Sequence, residues 1–116
     1  MPKRLLLLFL LTACSRDGSS AVTFGAAGPW KQGYGAMTKR GIELALEEIN
    51  ARPERQAHPL RIVFRDDDGD GQKASRIAQQ FVDSTDISAV IGHVNSGAMV
   101  AAASVVVATG CGGARR

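Results

Sequence analysis

Between Ala89 and Met99 the chain reads AVIGHVNSGAM. An imidazole, a carboxamide and a hydroxyl, on His93, Asn95 and Ser96, follow an apolar run that stops at Gly92. Such groups hydrogen-bond small polar molecules. An alanine-rich run begins directly after them. A Ser at the start of a helix is placed to cap it, and a helix N-terminus offers free N–H groups and a positive dipole end to an anion. Gly97 lets the backbone come close to whatever sits there. A plain helix cap has the same signature, so on these residues alone binding and capping both stand.

Other chemistry is poorly supported. The second histidine, His58, lies far from His93 in a loop, so no catalytic pairing suggests itself. Asp66-Asp67-Asp68-Gly69-Asp70-Gly71 fits the first half of a calcium loop, but the twelfth position, which should be a bidentate Glu, is Ile77. These carboxylates are better placed to favour the N-terminus of a following helix. There is no GxGxxG after the first strand, no GxxxxGK(S/T) and no GxSxG. No catalytic residue, metal site or cofactor is expected.

A chain of 116 residues suffices for one small domain. The net charge of +3 is modest, and no long Lys/Arg run is present. With one Tyr and one Trp there is little to stack on bases, so nucleic acid is not an expected partner.

The first residues have the order of an export signal. Lys3 and Arg4 precede the apolar run Leu5–Leu11, too short for a membrane span of about 20 residues. Leu11-Thr12-Ala13-Cys14 is similar to the bacterial lipobox, in which small residues precede a cysteine that takes a lipid. A signal peptide is therefore expected over residues 1–13, a lipid on Cys14 and a polar tether over residues 14–20. Cys111 is then left without a disulfide partner.

Three strand–helix units must position the polar cluster. AVTFGAA reads as a buried strand and GPWKQGYG as a loop. From Met37 a helical pattern begins, with Met37, Ile42, Ala45, Leu46 and Ile49 near one face, Lys39–Glu43 as an i,i+4 pair, and an end near Asn50. LRIVF is the second strand and RDDDGDGQ its loop. Ala74, Ile77, Ala78, Phe81 and Val82 then form the strongest helical stripe in the chain. SAVIGHV reads as the third strand, and residues 97–108 as an alanine-rich helix. Such alternation predicts a three-layer α/β fold in βαβαβα order, the first half of a doubly wound parallel sheet. Ligands of such sheets sit at the carboxyl ends of the strands, where His93–Gly97 falls.

From Val22 to Val106 the chain resembles the N-terminal part of type I periplasmic solute-binding proteins of ABC transporters, the leucine/isoleucine/valine-binding kind. GPWKQGYG is similar to that family's first loop and KRGIELALEEINA to its first helix. LRIVFRDDDGDGQKA resembles its second strand and acidic loop, and AVIGHVNSGA its third strand and binding turn.

The resemblance implies that an amino acid or amide is held between two lobes. Ser96 occupies the position whose hydroxyl bonds the ligand's carboxylate, with Gly97 beside it. Tyr34 matches an aromatic residue that packs on the ligand, and Asn95 is a neighbour of varying role. The expected partners of a full-length relative are a small-molecule ligand and ABC transporter membrane subunits. The expected location is the periplasm or cell surface, on a lipid anchor. Residues 21–108 then read as a partial N-terminal lobe, and residues 109–116 as an irregular, frameshifted tail. A partial lobe of this kind is expected not to bind alone. The alternatives are a non-functional truncated gene product and a ligand-sensing regulatory module of the same fold.

Overall fold

A computed structural model describes residues 20–108. The expected signal segment, Cys14, most of the expected tether and the tail with Cys111 lie outside the described residues. The chain runs β1 (Val22–Gly28), α1 (Gly33–Asn50), a 3-10 turn at Pro53–Arg55, β2 (Leu60–Asp66), α2 (Gly71–Asp83), β3 (Ile87–Ile91) and α3 (Ser96–Ala108). The sheet order is β2-β1-β3, and both pairings are parallel. Val22 pairs with Leu60 through to Gly28 with Asp66, while β3 enters with an irregularity between Thr23 and Phe24. The βαβαβα order and the parallel sheet are those expected from the alternating pattern.

Strand alternation assigns the two faces. Val63 and Ala27 point to one side, where they pack with Ile77 and Phe81 of α2. Gly25 lies beneath the Phe81 ring, which a Cβ there would meet at 2.9 Å. Phe64 points to the other side, where its ring packs T-shaped against Trp30 and takes the Lys39 ammonium of α1, 4.9 Å from the ring centre. Helices therefore cover both faces, giving three layers. α3 lies on α2 through four small residues, Ala74, Ala78, Ala98 and Ala102. Ser75 Oγ donates to the Ala101 carbonyl across that seam at 3.0 Å.

α1 begins four residues earlier than the sequence pattern suggests. Gly33 and Gly35 read as loop residues, yet Gly35 is buried under the Pro29 carbonyl, 2.0 Å from where a Cβ would sit. The glycine there serves close packing and does not break the helix. The expected apolar face is only partly covered: Ile42, Leu46 and Ile49 are half-buried, whereas Ala45 is exposed and Met37 is 77% exposed. α1 ends at Asn50 as expected. Its carboxamide donates to the Leu60 carbonyl and accepts from the Leu60 N–H, both at 2.8 Å. Two such bonds contribute about 0.5–1.5 kcal/mol each and fix where β2 starts. The Lys39–Glu43 pair forms at 2.8 Å.

The two sheet edges differ. β2 carries Arg61 and Arg65, both exposed, which discourages further strand pairing. β3, Ile-Ser-Ala-Val-Ile, has no charge, and Val90 and Ile91 are each 42% exposed. Among the described residues no helix is long and apolar enough to cross a membrane.

Candidate functional site

Because all three strands are parallel, their carboxyl ends and the loops after them lie together. Loop 29–32 leads into α1, loop 67–70 into α2 and loop 92–95 into α3. Chemistry-bearing residues of all three loops meet there.

The Tyr34 hydroxyl donates to Asn95 Oδ1 at 2.9 Å. Gln32 Nε2 donates to the Asp68 carbonyl at 3.1 Å. Gly69 passes so close to the Asn95 amide nitrogen that a Cβ would lie 2.9 Å from it. Tyr34, Asn95 and the acidic loop thus form one contiguous surface. Tyr34 belongs to the first turn of α1 and not to the loop where the sequence reading put it, since helical geometry begins at Gly33.

Ser96 is likewise one residue further into structure than expected. It is the first residue of α3, and Asn95 holds the cap position, its carbonyl accepting from Met99 N at 2.8 Å. The Asn95 side chain is taken by Tyr34 and does not cap. Among the described residues nothing bonds the Ser96 hydroxyl, and no acceptor meets the N–H groups of Ser96 and Gly97, both exposed. α2 makes the contrast clear: there the Asp70 carboxylate accepts from Lys73 N at 2.7 Å and occupies the helix end. The positive end of α2 is filled by the protein's own anion, and that of α3 is open.

The other acidic residues have partners of their own. Lys73 pairs with Asp68, and Lys31 lies 3.5 Å from Asp68 and 3.8 Å from Asp66. The hydrogen bond from Lys73 holds the Asp68 carboxyl below its ordinary value, partly offset by desolvation, with Lys31 assisting. The same bond lifts Lys73 above its ordinary value. Of the acidic run, Asp70 caps α2, so the helix-start reading holds for that one carboxylate and not for Asp66, Asp67 or Asp68.

His93 ends up in a pairing that its position alone did not suggest. Its Nδ1 lies 2.6 Å from Asp67 Oδ2, with the side chains 2% and 0% exposed. β3 ends at Ile91, short of the expected SAVIGHV, because Gly92 takes φ +118°, outside the extended region. Any Cβ at Gly92 would stand 2.2 Å from the Ala27 carbonyl, so only glycine turns the chain here. Trp30 Nε1 and His93 Nε2 are buried polar atoms without a partner among the described residues, and both residues lie at this end of the sheet. An unpartnered buried group costs about 1–3 kcal/mol.

The sequence pattern of the family described as "Periplasmic binding protein" matches residues 21–111. The chain belongs to the periplasmic binding protein family. A relative from Brucella abortus, "Leu/Ile/Val-binding protein homolog 2", is 31% identical over 77 residues, covering 66% of this chain and 20% of the relative. Among solved structures, an ABC transporter substrate-binding protein from Desulfitobacterium hafniense in complex with Leu is similar at 35% identity and a TM-score of 0.64. It shares 77% of this chain and 26% of its own. The branched-chain amino acid transporter substrate binding protein LivJ of Streptococcus pneumoniae, in complex with isoleucine, is similar at 25% identity and a TM-score of 0.68, with the same shares. This periplasmic binding protein chain therefore spans about a fifth to a quarter of the relatives it matches. Its three parallel strands and flanking helices are those of their lobes.

Proposed function

We propose that this chain forms one wall of an amino-acid site in an exported solute-binding lipoprotein serving an ABC transporter. The observation that carries the reading is the open N-terminus of α3. Among the described residues the Ser96 hydroxyl and the Ser96 and Gly97 N–H groups are uncommitted there, while Asn95 is held in place by Tyr34. A carboxylate suits that position, since it accepts several N–H and O–H bonds at the positive end of a helix. The leucine and isoleucine complexes among the structural relatives support a branched-chain amino acid as the ligand class. Tyr34 presents its ring beside the open helix end and is 48% exposed, ready to pack on a ligand side chain. Cys14 is the proposed lipid attachment site, with residues 1–13 removed on export, and the membrane subunits of the transporter are the proposed partners.

The test uses a fusion of this chain to the part of the Desulfitobacterium hafniense relative that it does not cover. Ser96→Ala is expected to weaken leucine binding about ten- to a hundred-fold, the worth of one hydrogen bond to a charged group at roughly 1.5–3 kcal/mol. Unchanged affinity by calorimetry removes Ser96 from the site. Absence of leucine binding by the unaltered fusion overturns the ligand class.

A further inference from the structure

We propose that the buried Asp67–His93 pair is the positioning device of the ligand turn, setting where Asn95, Ser96 and Gly97 stand relative to the acidic loop. The proposal rests on the reading that the start of α3 receives the ligand's carboxylate.

Asp67 is itself held from several directions. Its N–H donates to the Gly28 carbonyl at 3.1 Å, at the end of β1, and its carbonyl accepts from Asp70 N at 2.9 Å, at the start of α2. Its Oδ1 accepts from Gly69 N at 2.8 Å, which leaves Oδ2 for His93. His93 is held on its other side by α3, its N–H lying 3.3 Å from Met99 Sδ. One residue therefore connects the first turn of α3 to a carboxylate already tied to β1 and α2. Ser96 is three positions further along and inherits that placement.

An apolar pair in the same volume would hold the loops together as well or better, because burying two polar side chains carries a desolvation cost. A hydrogen bond differs from an apolar contact in fixing distance and direction. A carboxylate accepts, so the imidazole donates from Nδ1. His93 Nε2 has no partner among the described residues, so the Asp67 bond alone sets the ring's orientation. An Asn at position 93 can put its amide nitrogen near the place of Nδ1. A Gln places it nearer Nε2 and cannot replace that bond.

The test is amide hydrogen exchange on the full 116-residue chain without ligand. It reads Met99, whose N–H closes the first turn of α3 on Asn95, against Gly25–Ala27 in central β1. His93→Ala and His93→Gln are expected to speed exchange at Met99 at least ten-fold while β1 is unchanged, and His93→Asn to restore the wild-type rate. Exchange that rises equally in β1 and α3 makes the pair a contributor to general stability and overturns the proposal. So does His93→Asn behaving like His93→Ala, or an unchanged rate at Met99 in every variant. Should the variants fail to fold, nitrogen-15 spectra of the wild-type imidazole decide: a hydrogen-bonded Nδ1–H is expected, and an Nε2–H tautomer overturns it. Ligand is absent throughout, so failure of the Ser96→Ala test leaves this result standing.

Discussion

At Asp68 the backbone takes φ +52°, a left-handed conformation that Asp and Asn accept more readily than most residues. Its carboxylate meets Lys73 and Lys31. The pH dependence follows from the direction of the shifts. Asp68 is held below its ordinary value of 3.8, so its contribution to stability is present above that value and is lost as pH falls through the lower folded one. Lys73 is raised above 10.5, so its share is present below that pH and is lost as pH rises beyond it. Asp68→Asn keeps the backbone geometry and removes the charge. Its urea midpoint is expected to fall slightly below wild type at neutral pH, slightly because exposed ion pairs contribute little. The two curves are expected to converge only as pH falls through the lowered folded value of Asp68, where its carboxylate protonates in the native state. A difference that persists unchanged to the lowest pH would show that the pair is not the cause.

Among the elements, α3 depends most on its neighbour. Its sequence, SGAMVAAASVVVA, is apolar on every side, so periodicity does not say which face is inward. The choice is made by α2, whose Ala74 and Ala78 allow Ala98 and Ala102 to approach closely. Met99 and Val100 are left 44% and 73% exposed. Ala78→Leu adds three carbons to a seam with no room for them and is expected to cost about 1–3 kcal/mol in thermal or urea unfolding. Because α3 carries the candidate site, the same change is expected to speed amide exchange at Met99. A neutral Ala78→Leu would mean that the seam is looser than its buried alanines indicate.

At the scale of the whole molecule, the two edges of the sheet carry different instructions. β2 ends the sheet with arginines on its surface, whereas β3 presents an uncharged, half-exposed strand of the kind that ordinarily has a neighbour. Five of the exposed apolar residues, Val90, Ile91, Val94, Met99 and Val100, lie on β3, the turn after it and α3. The proposed tether would carry this domain on a lipid. If Cys14 takes that lipid, palmitate fed to the producing bacterium is expected to label the protein, and Cys14→Ala to abolish the label. Label retained by Cys14→Ala, or absent from the wild type, removes the anchor from the proposal.

Element type and order were determined by sequence alone, for a local reason. The stripe Ala74–Ile77–Ala78–Phe81 is helical in any surroundings that bury one face, and LRIVF is a strand wherever its neighbours pair with it. Their alternation leaves a parallel sheet as the compact arrangement, and a parallel sheet brings its loops to one end. Ser96 and Gly97 could therefore be placed at a helix start, at the correct end of the sheet, before any contact was known. The partners of these residues could not. Tyr34 reaches Asn95 across 61 residues and His93 reaches Asp67 across 26, pairings that depend on strand register and loop geometry and on no local pattern. The role of Gly35 was hidden for the same reason: a glycine needed beneath the Pro29 carbonyl has the same letter as one that ends a helix. Only the tertiary structure turned His93 from an isolated imidazole into half of a buried pair, because burial and partnership are properties of the packed chain.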